Sequence, residues 1–241
     1  MNEKTTALVT GANKGIGYEI ALGLGRHGMR VGVGARDAGR REDAVARLRE
    51  DGVDAFGVAL DVTDADSVAS AARQLQDEEG RLDVLVNNAG VTGSMPQAPT
   101  LASPDNLRAV LETNVIGVVA LTNALLPLLR RSPSPRIVNV SSSVGSLTRQ
   151  SQDGGDTGPL SAVYSPSKTY LNAITLQYAK ELADTNVLIN LACPGFVATD
   201  LNGFRGHRTP AQGAATPIRL ATLPDGGPSG GFFEDAGPVP W

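Results

Sequence analysis

The sequence has 241 residues, 41% of them hydrophobic, enough to bury one substantial α/β core without requiring a second domain. A formal charge of -4 with no basic run argues against a nucleic-acid surface; no apolar run reaches the length of a membrane span, so no membrane partner is expected. The start, MNEKTTALVTG, lacks the apolar core of a signal peptide, Cys193 has no disulfide partner and the two histidines lie far apart, so metal-free chemistry in a reducing cytoplasm is expected.

The short apolar run Thr6 to Thr10 ends in Gly-Ala-Asn-Lys-Gly-Ile-Gly, residues 11 to 17, and the amphipathic stretch Tyr18 to His27 follows. This reads as strand, glycine turn and helix. Gly11 permits the turn, Gly15 lets the backbone approach a pyrophosphate, and Gly17 lets helix and strand pack closely, with the helix N-terminus facing the anion. The spacing is G-x-x-x-G-x-G and not the common G-x-G-x-x-G, so the dinucleotide reading applies by mechanism, and a ligand-free glycine turn is the plain alternative.

Gly28 closes that helix, and Met29 to Ala35 reads as the second strand, followed at once by Arg36. An acidic residue here would bind an adenosine ribose, whereas an arginine suits a 2'-phosphate; Asp37 competes with Arg36, and Lys14 in the glycine loop adds a second cation on the same side. NADP is therefore favoured over NAD. Arg40 to Asp51 is helical in pattern, Asp54 to Leu60 is a third strand, and Asp61-Val62 at its end can meet an adenine or simply form a turn. Thr63 to Asp66 resembles a helix cap leading to a helix that ends at Gly80, and strand four, Asp83 to Asn87, runs into Asn88-Ala89-Gly90, small enough to admit a ribose.

Ser103-Pro104 offers an N-cap and a first-turn proline for a helix running through Leu125, with Asn114 inside it as a satisfied core amide or a polar relay. Arg136 to Val140 is the fifth strand and ends at Ser141-Ser142-Ser143. Residues 146 to 160, polar and glycine-rich, read as a mobile rim beside the site. Tyr164-Ser-Pro-Ser-Lys168 then opens a helix to about Ala183. Tyrosine and lysine four apart share a helix face, and a cation held near a phenol lowers its pKa; an ordinary amphipathic helix is the alternative for an isolated pair. Val187 to Ala192 is a sixth strand, and Cys193 reads as a small buried hydrophobe. Phe196 to Arg208 suits a substrate lid that orders over ligand, as the Ser143 to Leu160 connection would. Thr209 to Gln212 is a capping box opening a helix to about Ala221, Gly230 to Glu234 supplies a last strand, and the Pro-rich end to Trp241 reads as a tail.

Thr10-Gly-x-x-x-Gly-x-Gly17, Asn87-Asn-Ala-Gly90, Ser142, Tyr164-x-x-x-Lys168 and Pro194-Gly195, in that order, resemble the short-chain dehydrogenase/reductase family. The resemblance implies a single-domain α/β Rossmann fold over residues 1–241, a doubly wound parallel sheet of about seven strands, with 196–221 as substrate loop and short helix. It implies Asn114, Ser142, Tyr164 and Lys168 as the catalytic set, Ser142 being chosen among three serines because it stands three residues before Gly145. Along the cofactor it implies Gly11, Asn13, Lys14, Gly15, Ile16, Gly17 and Arg36, then Asp61 and Val62 at adenine. It adds Asn88, Ala89 and Gly90, with Tyr164 and Lys168, then Pro194, Gly195, Val197 and Thr199 toward the nicotinamide.

Asn13-Lys14-Gly15, Ala35-Arg36-Asp37 and the Gly-Phe-Phe-Glu to Pro-Val-Pro-Trp ending look like the NADPH-dependent carbonyl reductases. Ser142 and Tyr164 are 22 residues apart, wider than is usual in the family, which leaves the oligomeric state open, a homo-oligomer included. The expected activity is reduction of a small ketone or aldehyde with NADP(H), Tyr164 protonating the alkoxide, Ser142 holding the carbonyl oxygen, Lys168 holding the nicotinamide ribose, and Asn114 linking Lys168 to water. A catalytically silent NADP-binding sensor is the competing class, which would not need the full Asn-Ser-Tyr-Lys set; an adenosyl-methionine enzyme fits Arg36 less well.

Overall fold

Thr6–Thr10 carries no charge and is buried from end to end, as a strand covered on both faces must be. In the computed structural model, which describes residues 4–152 and 158–241, this strand, β1, lies in the middle of one sheet. The others are β2 (Arg30–Ala35), β3 (Ala55–Ala59), β4 (Val84–Asn87), β5 (Arg136–Val140), β6 (Leu188–Ala192), β7 (Phe232–Glu234) and β8 (Gly237–Pro238). Their order is β3-β2-β1-β4-β5-β6-β7-β8, and every pair is parallel except β7 with β8. Seven parallel strands match the sequence reading. The eighth corrects the reading of the C-terminus as a tail: the end folds back antiparallel, Val239 N–H donates to Phe232 O at 2.8 Å, and the Trp241 ring lies 6.1 Å from that of Phe232.

Side chains alternate across the sheet and divide the core in two. From β1, Ala7 and Val9 join Ile20, Leu24 and Leu48, which belong to α1 (Gly15–Arg26) and α2 (Ala38–Glu50), and Leu220 of α8 (Pro210–Ala221). Leu8 points the other way, to Leu75 of α3 (Ala65–Glu79), Leu121 and Leu125 of α5 (Gly117–Leu129), and Tyr178 of α7 (Tyr164–Glu181). Helices therefore cover both faces. Strand order reverses between β1 and β4, and in such sheets the crevice at the strands' carboxyl ends at that point receives ligands.

Local capping corrects two expected boundaries. Asp37 Oδ1 accepts from Arg40 N at 2.8 Å, so α2 starts at Ala38 with Asp37 as its cap. Asp64, and not Thr63, caps α3, while Thr63 donates backbone and side chain to Asp61 Oδ1. The expected caps at Ser103, Gly80 and Thr209 are present. The helix expected from Pro104 onward is not uniform: α4 (Pro104–Leu111) passes into a π-helical turn, Glu112–Ile116, before α5. That whole run, Pro104–Leu129, is long and apolar enough by composition to cross a membrane, which the sequence reading overlooked; Leu121, Leu125 and Leu129 face the sheet as core.

Candidate active site

The glycine loop is built for close approach. Gly11 and Gly15 have φ of 65 and 57°, left-handed values that disfavour a side chain. A Cβ on Gly17 would lie 2.4 Å from Gly11 O and 2.5 Å from Asn88 Nδ2, so the contact that requires glycine is with the loop and Asn88. Thr10 Oγ1 accepts from the N–H groups of Asn88 and Ala89, each at 2.9 Å, and Asn88 Nδ2 donates to Thr10 O at 2.9 Å. The Asn88-Ala89-Gly90 turn is thus fastened to the end of β1, and Asn88 acts as the fastener.

Between these turns and the ends of β2, β3, β5 and β6 opens a cleft of about 700 Å³. Gly11, Asn13, Lys14, Gly15, Ile16, Gly17, Arg36, Asp61, Val62, Asn88, Ala89, Gly90, Tyr164, Lys168, Pro194 and Thr199 all line it. Asn114, Ser142, Gly195 and Val197 do not. Val197 is buried and pairs with Arg208 in an isolated bridge, and Gly195, at φ 75°, passes beneath the Arg208 side chain.

The charges in the cleft settle the competition at the end of β2. Asp37 also lines the cleft but its carboxylate is engaged in capping α2, whereas Arg36, its side chain 77% exposed, has Nη1 3.9 Å from Asp61 Oδ2. Hydrogen bonds from Thr63, before the charge of Arg36, hold the Asp61 carboxyl below its ordinary value. Lys14 is paired across the cleft with Asp200. Arg40, which the sequence reading passed over, lines the same wall; its signal was the helix cap at Asp37, three residues earlier.

At the other end, Ser142 stands close enough to the Tyr164 phenol to favour its ionised form, and Lys168 Nζ stands 5.8 Å from the centroid of the Tyr164 ring. Lys168 Nζ donates to Val140 O at 2.9 Å. The first turn of α7 places Tyr164 and Lys168 on one side, and Pro166 is accommodated there as expected. Gly145 explains how the serine turn comes so near: a Cβ on it would lie 2.8 Å from the Lys168 backbone carbon. Beneath the turn, buried Cys193 accepts from Ser143 N at 3.2 Å and packs with Val118 and Leu171.

Burial raises the Tyr164 pKa above its ordinary value and lowers that of Lys168 to about 8. Desolvation outweighs the lowering that Ser142 gives Tyr164. The link expected from Asn114 to Lys168 runs through water; the direct partners of the Asn114 amide lie elsewhere. Asn114 Oδ1 accepts from Val91 N at 2.9 Å, and its Nδ2 donates to Val91 O at 2.9 Å and Ser167 Oγ at 3.0 Å. The π turn lets this amide point at a neighbouring chain segment, and its donors are fully used there.

Among the described residues, both flanking connections carry local structure. α6 (Leu147–Gln150) occupies part of the expected rim, with Arg149 bonded through both terminal nitrogens to Glu234 and Thr148 N donating to Trp241 O at 2.7 Å. Residues 153–157 of that rim lie outside the described residues. The Phe196 to Arg208 segment closes on itself: Ala198 N donates to Arg208 O at 2.8 Å, and His207 and Arg208 N donate to Phe196 O, each at 3.1 Å.

Residues 5–209 match the model of the short chain dehydrogenase family. Short-chain dehydrogenase/reductase 1 of Saponaria officinalis is 36% identical, covering 96% of this chain and 94% of that relative. NADPH carbonyl reductase 1 of Rattus norvegicus is 32% identical, covering 100% and 99%. Among solved structures, salutaridine reductase from Papaver somniferum superposes with a TM-score of 0.83 at 33% identity over 96% of this chain and 100% of that one. An actinorhodin polyketide ketoreductase variant with NADPH gives 0.84 at 28% identity over 98% and 97%. With the glycine cradle, the ordered motifs and the doubly wound sheet, these likenesses show that the chain belongs to the short-chain dehydrogenase family of oxidoreductases.

Proposed function

We propose that the chain, as one domain over residues 1–241, is an NADP(H)-dependent reductase of small ketones or aldehydes in a reducing cytoplasm, with 196–221 on the substrate side. The observation that carries this reading is that Tyr164 and Lys168 line one end of a cleft whose other end is the glycine loop, with Ser142 beside the Tyr164 phenol.

The cleft fits the cofactor on its own terms. Left-handed glycines and the N-terminus of α1 suit a pyrophosphate, and Arg36, Arg40 and Lys14 supply cations for a 2'-phosphate. Solved relatives hold NADPH or NADP. Lys168 would hold the nicotinamide ribose and Thr199 the carboxamide. A bound dihydronicotinamide would supply the hydride. Ser142 orients the substrate oxygen by a hydrogen bond, and Tyr164, kept protonated by burial, gives its proton to the developing alkoxide. Asn114 contributes by fixing Val91 and the start of α7, which positions Tyr164.

Stopped-flow NADPH oxidation against a carbonyl panel tests the reading. Tyr164→Phe should reduce kcat/KM by about 10² or more while keeping NADPH binding. Arg36→Asp should weaken NADPH binding about tenfold and NADH little. Tight NADPH binding with no turnover of any carbonyl by the unaltered protein would favour a sensor; equal loss of both cofactors would make Arg36 structural.

A further inference from the structure

Phe204 stands apart from the rest of the chain. Among the described residues it is the one non-glycine residue with positive φ, 59°, and the residue is 66% exposed. An aromatic residue rarely adopts this left-handed backbone, and an exposed ring gains nothing from burial that would offset the strain. The surrounding loop imposes the conformation. Thr199 and Asn202 form a reciprocal cap, Phe204 N donates to Thr199 O at 2.9 Å, and Gly203 before it is also left-handed at φ 62°. The returning strand of the loop is pressed against Val197, where a Cβ on Gly206 would lie 2.2 Å from a backbone carbon. A strained residue held by an over-determined frame is a recurrent feature of ligand-contacting positions.

Its surroundings indicate what it would contact. Phe204 and Leu201 line the cleft that also holds Tyr164, and Val91 lines it from the opposite bank. The two banks are joined where Thr92 Oγ1 donates to Leu201 O at 3.4 Å. Leu201 and Val91 are themselves 41% and 37% exposed. The cleft's carboxylate on this loop, Asp200, is paired with Lys14, and Phe204, Leu201 and Val91 add apolar surface beside it.

We propose that Phe204 is the specificity-determining residue of the reductase, its ring forming with Leu201 and Val91 an apolar platform for ring-bearing, uncharged carbonyl compounds. The inference rests on the reductase reading above and adds the substrate class. Phe204→Gly keeps the left-handed backbone and removes the ring; Phe204→Tyr keeps a ring. A fused-ring ketone, 1-tetralone, and a small one, 2-butanone, serve as probes with NADPH.

The unaltered enzyme should prefer 1-tetralone. In Phe204→Gly the KM for 1-tetralone should rise about tenfold or more, with 2-butanone kinetics and NADPH Kd kept within about twofold. The Tyr variant should retain the preference. The melting temperature of the Gly variant should stay level or rise, because the strain is relieved. A lowered melting temperature with equal loss on both ketones would make Phe204 a structural residue. A weakened NADPH Kd with an unchanged ketone ratio would place the ring on the cofactor, and either result overturns the inference. An enzyme that reduces 2-butanone but not 1-tetralone overturns the substrate class. Inactivity toward every carbonyl would instead remove the reductase reading on which it rests.

Discussion

Lys14, in the glycine loop after β1, forms an ion pair with Asp200, which follows β6, so a charge pair bridges the cleft between residues 186 positions apart. Both side chains are about half exposed, and the pairing with Lys14 holds the Asp200 carboxyl below its ordinary value. A phosphate entering the cleft must compete with Asp200 for Lys14. Asp200→Asn should therefore tighten NADPH binding by about two- to fivefold at low salt, and by less at high salt, where exposed pairs are screened. Titration of cofactor fluorescence at two ionic strengths measures this. Weaker binding in the variant would mean that Asp200 orders the loop for the cofactor and does not compete with it.

The pH dependence follows from burial of the catalytic pair. Below pH 8 Lys168 is charged; above its lowered pKa of about 8 it is neutral, while Tyr164, raised by desolvation, keeps its proton. The kcat/KM for reduction should thus hold below pH 8 and fall as pH rises through about 8. Stability carries the opposite sign for Lys168. Between about 8 and 10.5 the unfolded chain binds a proton that the native chain has lost, so this group makes stability rise with pH across that window. Tyr164 contributes stability that is fully present below pH 10.0 and declines above it. A pH profile of kcat/KM that is flat across pH 8 would show that Lys168 titrates elsewhere.

Ser167 offers a test of positioning. Its fully buried hydroxyl accepts from Asn114 Nδ2 at 3.0 Å and donates to Tyr164 O at 2.6 Å, joining the π turn to the first turn of α7. Ser167→Ala leaves an Asn114 N–H unpaired and should destabilise the fold by about 1–3 kcal/mol. Turnover should fall several-fold through displacement of Tyr164, while NADPH Kd stays close to that of the unaltered enzyme. Urea unfolding and steady-state kinetics read the two effects separately, and an unchanged midpoint would show that water replaces the hydroxyl.

The order of elements was legible in the residues because it is written in local terms. A five-residue apolar strand, a glycine turn, a capped helix and a Tyr-Lys spacing of four each depend on neighbours in the chain, and all are present. The closeness of the serine turn to α7 has a reason that only the structure supplies, the tight contact of Gly145 with the Lys168 backbone. The sequence by itself therefore determined the doubly wound frame, the side of the sheet that carries the site, and the polar groups available there.

Tertiary structure alone decided how those groups are partnered. Asp37 and Arg36 are adjacent and compete on paper, and only the start of α2 assigns Asp37 to the cap. The Asp200 partner of Lys14, the Val91 and Ser167 partners of Asn114, and the strained backbone of Phe204 arise from segments far apart or from a closed loop. For the same reason, the raised pKa of Tyr164 departs from the lowering that its spacing from Lys168 implied. Spacing fixes which charges are neighbours, but desolvation depends on everything packed around them, and no local pattern in the chain encodes that.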